Sequence, residues 1–300
     1  MFMGEEYSPI ATDITLTPCA KNGKTGPTEV ECDAAYTWQP QVDGISVDNA
    51  AIRNGIQTVT FSMDGMIAME VGGAGGGYGR GMVEMRGGRG AKAFSLFKVT
   101  KGQSLKVVVG QAGIKRAGWD DADYFGGAGG GGTFVWDPED DSLPWIVAGG
   151  GGGASYAGSK EDRNYWGRDG RQDGNGGKAC PTGDAGGRDG EGGATTQQSS
   201  YRGGAGAGWK SNGNCNNYQT QVCGLSKGGN FVGGDTNSGG HGEGGFGGGA
   251  GCYRQGGGGG GFSGGSGGHD GHGAGGGGGS FSNGESVEVY PGGNRMYDGA

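Results

Sequence analysis

The chain has 300 residues, of which 83 are glycine, only 32% are apolar, and the formal charge is −8. Glycine stands at roughly four times its usual ~7% share and apolar residues fall well below the ~45–50% of globular domains, so an ordinary side-chain core cannot account for the whole length. The acidic balance argues against a nucleic-acid partner, which needs a basic footprint, and no apolar run reaches the ~20 residues that would span a bilayer as a helix. Residues 1–6 (Met-Phe-Met-Gly-Glu-Glu) have neither the basic nor the apolar region of a signal peptide and read as a mature start.

In chain order, residues 1–16 form an N-terminal extension containing Tyr7, Ile10, Ile14 and Leu16, with polar residues among them. Ile10, Ile14 and Leu16 share one face of an extended strand, which makes the segment a candidate assembly strand able to cover an open sheet edge on a neighbour. Residues 56–63 alternate as Ile-Gln-Thr-Val-Thr-Phe-Ser-Met, with Val59, Phe61 and Met63 on one face. Asp64-Gly65 then predicts a two-residue hairpin, since both central positions of such a turn need positive φ, with a return strand over 66–71. Further strands are predicted at 93–99 and 105–109, linked by a polar turn, at 133–136 and 143–148, linked by the acidic turn 137–142, and at 286–290. No amphipathic helix of useful length is visible. Short strands at this density predict an antiparallel sandwich or jelly roll.

Between the strands lie glycine tracts at 72–77, 126–132, 149–153, 244–251, 256–261 and 273–279. Collagen is excluded by the lack of a Gly-X-Y period and by only 8 prolines. A flexible linker would be monotonous, whereas these tracts are punctuated by single aromatics such as Tyr78, Tyr156, Trp166, Trp209, Phe246, Tyr253, Phe262 and Phe281. Two readings remain: disordered polymer, or left-handed extended helices of three residues per turn packed closely enough to hydrogen-bond sideways. The second is the expectation adopted. The fold class is therefore all-β with polyglycine-II helices, an antiparallel jelly-roll sandwich with an inserted bundle of extended helices. The division is 1–16 extension, 17–148 jelly-roll strands with short glycine inserts, 149–284 glycine-helix bundle, and 285–300 final strand and tail.

Six cysteines (Cys19, Cys32, Cys180, Cys215, Cys223 and Cys252) on a core-poor chain predict three disulfides in an oxidising, extracellular compartment. Proximity pairs Cys19 with Cys32; the other connectivities stay open. No Cys-x-x-Cys pair occurs, and the three histidines fit no zinc pattern.

Residues 17–36, with Thr17-Pro18-Cys19, Gly26-Pro27-Thr28, Cys32 and then Asp33-Ala34-Ala35-Tyr36, resemble the opening of the glycine-rich extracellular region of the anaplastic lymphoma kinase and leukocyte tyrosine kinase receptors. Phe94-Ser95-Leu96-Phe97, Gly102-Gln103-Ser104-Leu105 and Val108-Val109-Gly110-Gln111 resemble its next strands, and 129–135 with 144–152 its following hairpin. The stretches 244–252 and 256–262 resemble its central glycine block, so the likeness runs from about Thr17 to Tyr290. It implies a tumour-necrosis-factor-like jelly roll, with polyglycine helices inserted before the final strand, in a unit that binds peptide ligands and dimerises. One departure is that 114–124 lack the cysteine pair those receptors carry there.

Catalytic patterns are matched only by composition. Gly261-Phe262-Ser263-Gly264-Gly265 has the form of a nucleophile elbow but no strand-to-helix context. Gly23-Lys24-Thr25 lacks the upstream glycine of a phosphate loop. His269 with His272 could hold a metal and Asp120, Asp121 and Asp123 calcium, though solvated polar turns explain both. Trp119, Trp166 and Trp209 are contact residues or rim packing. No cofactor, metal or enzymatic activity is expected. The expected partner is the chain itself, in a homo-oligomer or filament, with a basic peptide or extracellular carbohydrate as alternative ligands.

Overall fold

The structure, a computed structural model, describes residues 14–36, 44–47, 52–80, 84–114, 125–156, 165–180, 184–195, 203–215, 223–235, 242–252, 254–269 and 273–294. Its described elements are the helix α1 (Glu29–Ala35) and strands β1 (Ile45–Val47), β2 (Gln57–Phe61), β3 (Gly65–Gly72), β4 (Gly79–Arg80), β5 (Glu84–Met85), β6 (Gly90–Val99), β7 (Ser104–Val108), β8 (Thr133–Trp136), β9 (Ile146–Ala148), β10 (Phe281–Ser282) and β11 (Glu285–Asn294). A turn of 3-10 helix covers Lys227–Gly229. The protein is mostly β, built on antiparallel sheets.

One sheet has the order β1-β2-β7-β8-β9-β10 and a second the order β11-β6-β3. Their facing sides share one core: Val59, Phe61, Leu105, Val107, Val135, Ile146 and Ala148 from the first meet Val71, Ala93, Phe97 and Val99 from the second. The other face of the six-stranded sheet is buried too. Val108, Phe134, Trp136 and Val147 point away from the first core and pack on Trp209, Phe231, Phe246 and Phe262 from the glycine-rich region. Strict alternation along β8 and β9 thus feeds two separate cores.

Asp64-Gly65 does not make a hairpin. Neither residue has positive φ, and β2 pairs with β1 and β7 whereas β3 pairs with β6. The chain changes sheets there, and again between β6 and β7. The two crossings are tied side by side: the Lys101 amide donates to Asp64 Oδ1 at 2.7 Å, and Phe61 and Gln103 and Gly102 exchange backbone bonds. The acidic turn, by contrast, does join a hairpin, with Phe134 opposite Val147.

The seven-residue α1 was not legible as an amphipathic pattern. It starts at a capping box, in which the Glu31 amide donates to the Thr28 hydroxyl and the Thr28 amide donates to the Glu31 carboxylate. The hydrogen bond from Lys21, then that from Thr28, holds the Glu31 carboxyl below its ordinary range.

The glycine tracts carry almost no regular strand or helix, yet they are largely buried and most of their amides donate to backbone of another segment. The donors rotate among neighbours with a period of three. Gly150 and Gly153 donate to Gly260 and Gly257; between them Gly151 donates to Ala74 and Gly152 to Arg168. In the same way Gly127 and Gly130 donate to Ala154 and Gly151, and Gly129 and Gly132 to Ala250 and Gly247. Gly257 and Gly260 return to Gly127 and Gly130, and Gly258 and Gly261 go to Gly204 and Ala207. Tracts from 72–77 and 126–132 interleave with those from 149–284 in a single lattice. A net hydrogen bond contributes about 1 kcal/mol, close to the ~1–2 kcal/mol that fixing one residue's backbone costs. The lattice therefore depends on nearly every donor finding its acceptor.

Close approach explains why the tracts are glycine. A Cβ on Gly129 would stand 1.9 Å from the Gly258 carbonyl oxygen, and one on Gly258 would stand 2.2 Å from that of Gly265. Buried serines act as side-chain links in the same lattice. Ser266 Oγ accepts from the Ala179 amide at 2.6 Å and Ser280 Oγ from the Gly149 amide at 3.0 Å.

Candidate functional site

Two bridges form, not three. Cys19–Cys32 is present as expected, and Cys215 pairs with Cys223. Cys180 and Cys252 are thiols. Cys252 is enclosed by lattice backbone: its thiol donates to the Gly126 carbonyl at 3.0 Å, and the Gly242 amide donates to its sulfur at 3.2 Å. Burial pushes this thiol up to about 12. Cys180 sits on another tract, bridged through its backbone to Ala274, with the Arg168 guanidinium on its sulfur. An even cysteine count says nothing of geometry, and here the last two side chains are engaged by different neighbours.

Of the candidate assembly strand, Tyr7 and Ile10 lie outside the described residues. Ile14 and Leu16 are partly buried against their own chain's inter-sheet core. Thr17 is held next to them, its amide donating to the Tyr36 hydroxyl at 2.7 Å and its carbonyl accepting from Gln57 Nε2 at 2.9 Å.

The catalytic look-alikes are lattice parts. Ser263 is fully buried, and its hydroxyl accepts from the Gly190 amide. Lys24 bonds Asp235 and lies 3.5 Å from Glu243, joining the Cys19–Cys32 loop to the glycine lattice. Partial burial works against the Lys24 ammonium, but the Asp235 hydrogen bond and the Glu243 charge hold its pKa above the ordinary lysine value. Trp209, read as either a contact residue or a rim residue packing on the lattice, is 3% exposed and packs on Phe134, Trp136 and Phe231, with the Lys227 ammonium 4.7 Å from its ring centroid. Trp166 is half-buried. Trp119, Asp120, Asp121, Asp123 and His272 lie outside the described residues. Among the described residues, no three His, Cys, Asp or Glu side chains group as metal ligands, and no helix is long and apolar enough to cross a membrane.

The outer face of the β11-β6-β3 sheet is the surface sequence reasoning missed. Register places Phe94 between Glu70 on β3 and Glu288 on β11, and Lys92 beside Tyr290. These five residues line a shallow cavity of about 450 Å³. Lys92 Nζ lies 2.8 Å from Glu70 Oε2. The Tyr290 hydroxyl donates to Glu288 Oε2 at 2.5 Å, and that bond holds the phenol's pKa above its usual value. The alternation Lys92, Phe94, Leu96, Lys98 was the available signal: a strand whose second face is neither plainly core nor plainly solvent. Chemically, an aromatic floor between two carboxylates suits a cationic side chain.

No protein-family model matches the chain, and no curated protein matches it.

Proposed function

We propose that this chain is an extracellular, non-enzymatic structural protein that self-associates, as in a fibre, sheath or cell-surface appendage. In this reading the two sheets are a jelly roll and the glycine tracts are polyglycine-II helices bundled against it. The carrying observation is the three-residue period of the inter-tract hydrogen bonds. A threefold extended helix turns successive amides by about 120°, so each helix bonds three neighbours in rotation. Such a block offers shape and stiffness but few side chains with which to do chemistry. The two disulfides are in keeping with an oxidising compartment. The test is analytical ultracentrifugation across a concentration series, with electron microscopy of the same samples. Mass-average weight should climb with concentration and particles should grow by addition of one unit; a monomer at every concentration would reject the proposal.

A second reading, a peptide-binding ectodomain resembling the anaplastic lymphoma kinase type, is favoured by the cavity around Phe94. It predicts that an arginine-rich peptide binds in calorimetry and that Glu288→Gln weakens it about 10- to 100-fold, one charge-assisted bond being worth ~1.5–3 kcal/mol. Equal affinity for both proteins, or none for either, removes this reading.

A further inference from the structure

The geometry points to β3 as the acceptor edge for self-association, with residues 1–13 of a second copy as the strand it receives. This rests on the self-association reading above and adds where the junction lies. Among the described residues, four strands end the two large sheets, and three are poor acceptors. β1 has three residues and β10 two. β11 is long, but it carries Pro291, two register shifts, and positive φ at Ser286 and Gly292; these are devices that blunt an edge. β3 has none of them. Its eight residues pair with β6 in unbroken register from Gly65 opposite Val99 to Gly72 opposite Lys92. Among the described residues, nothing but β6 hydrogen-bonds the backbone of residues 65–71. A long, regular, proline-free edge is a template for another strand.

Both faces at this edge are unfinished. Ile67 and Met69 point inward but are only partly buried, while Met66 and Ala68 lie on the outer face, with Ala68 exposed. A strand with apolar side chains of either parity can be accommodated, and residues 1–13 supply Tyr7 on one parity and Ile10 on the other. Pro9 lacks an amide, which is tolerated on the outer side of a new edge strand. The reach is sufficient. Ile14 is anchored on its own core, and 13 residues extend about 45 Å at 3.3–3.6 Å each. Eight of them would match β3, leaving five to cross between copies. Head-to-tail docking of this kind propagates, because each copy gives one strand and receives another.

Three proteins test the assignment by sedimentation: full length, a chain lacking residues 1–13, and an edge-blocked chain. Neighbouring residues aim their amides to opposite sides of a strand, so Ala68→Pro and Met69→Pro are both made, and the one that keeps the native circular dichroism is the edge block. Full-length protein should assemble. The truncated and edge-blocked chains should each be monomeric, with self-association weakened at least 100-fold. Mixed together, they should form a 1:1 dimer and nothing larger, since each retains one half of the junction. Should neither proline variant fold, the truncated chain is titrated with a synthetic peptide of residues 1–13, and amide shifts centred on Gly65–Gly72 are expected. An edge-blocked chain that assembles like the full-length protein, or peptide shifts centred elsewhere, overturns the β3 assignment while leaving self-association intact. Full-length protein that is monomeric throughout removes the underlying reading, and this inference with it.

Discussion

Gly258→Val should lower the melting temperature by about 10 °C or more, and Gly228→Ala should leave it within about 2 °C. Gly258 has backbone on every side. Its amide donates to Gly204, its carbonyl accepts from Ala250, and an added Cβ would stand 2.2 Å from the Gly265 oxygen and 2.8 Å from the Gly206 nitrogen. None of these atoms is the end of a flexible side chain, so the only relief is to move tracts apart and lose the bonds between them. The cost lies at or beyond the top of the ~1–3 kcal/mol usual for overpacking, and each kcal/mol is worth roughly 2–4 °C in a domain of this size. Among the described residues, only Ser226 Oγ at 4.0 Å comes near a Cβ on the exposed Gly228, so alanine there belongs with neutral surface changes of about 0.5 kcal/mol. Gly102→Ala separates the two causes. It meets none of the described residues within 4 Å but has φ of +86°, so it should cost only the ~1–2 kcal/mol of a left-handed alanine. Equal melting of Gly258→Val and Gly228→Ala would mean that the tracts do not pack at backbone distance.

The second large effect is on hydrogen exchange. With all backbone nitrogens labelled, the amides of Gly150, Gly151, Gly153, Gly257 and Gly260 should exchange at least about 1,000-fold more slowly than a random coil. Each is bonded to another tract and buried, so exchange requires several tracts to part at once, a sub-global opening of several kcal/mol. A factor of ten in rate corresponds to about 1.4 kcal/mol. The amides of the exposed acidic turn at Asp140 and Asp141 give the fast reference within the same molecule. Tract amides that exchange as fast as that turn would make the glycine region a tether.

The strands were legible because side-chain alternation is local: Val59 with Phe61 declares one shared face, and Phe134 against Val135 two opposite ones, within two or three residues. The same locality misled at Asp64-Gly65. A turn dipeptide signals a change of direction, and only the distant partners, Val107 for β2 and Phe97 for β3, show that the direction change is also a change of sheet. In the glycine region the aromatic punctuation pointed to order, but homogeneous tracts carry no register information, so which tract bonds which could not be read. That Cys252 is a lattice thiol and not half of a bridge follows from those unread neighbours, Gly126 and Gly242. The Thr28/Glu31 capping box was on the page in the sequence, and seven residues were too few for a hydrophobic period to accompany it. The Phe94 cavity draws its walls from β3, β6 and β11, the last of these almost 200 residues from the others, so no window along the chain contains it.

The pairing of β11 with β6 has a consequence for biogenesis. Ser95 on β6 bonds the Glu285 carbonyl across 190 positions of chain, so the three-stranded sheet stays one strand short until the end of that stretch has been made. At 5–20 residues per second, translation leaves β6 without its partner for about 10–40 s. Local strand pairing takes microseconds, so β3 and β6 have ample time to pair, and the waiting species is a two-stranded β3–β6 sheet with Phe94 and Leu96 beside an unfilled slot. The high contact order makes final closure slow, and a nascent chain cut short before residue 285 would be sticky in a way that the finished protein is not.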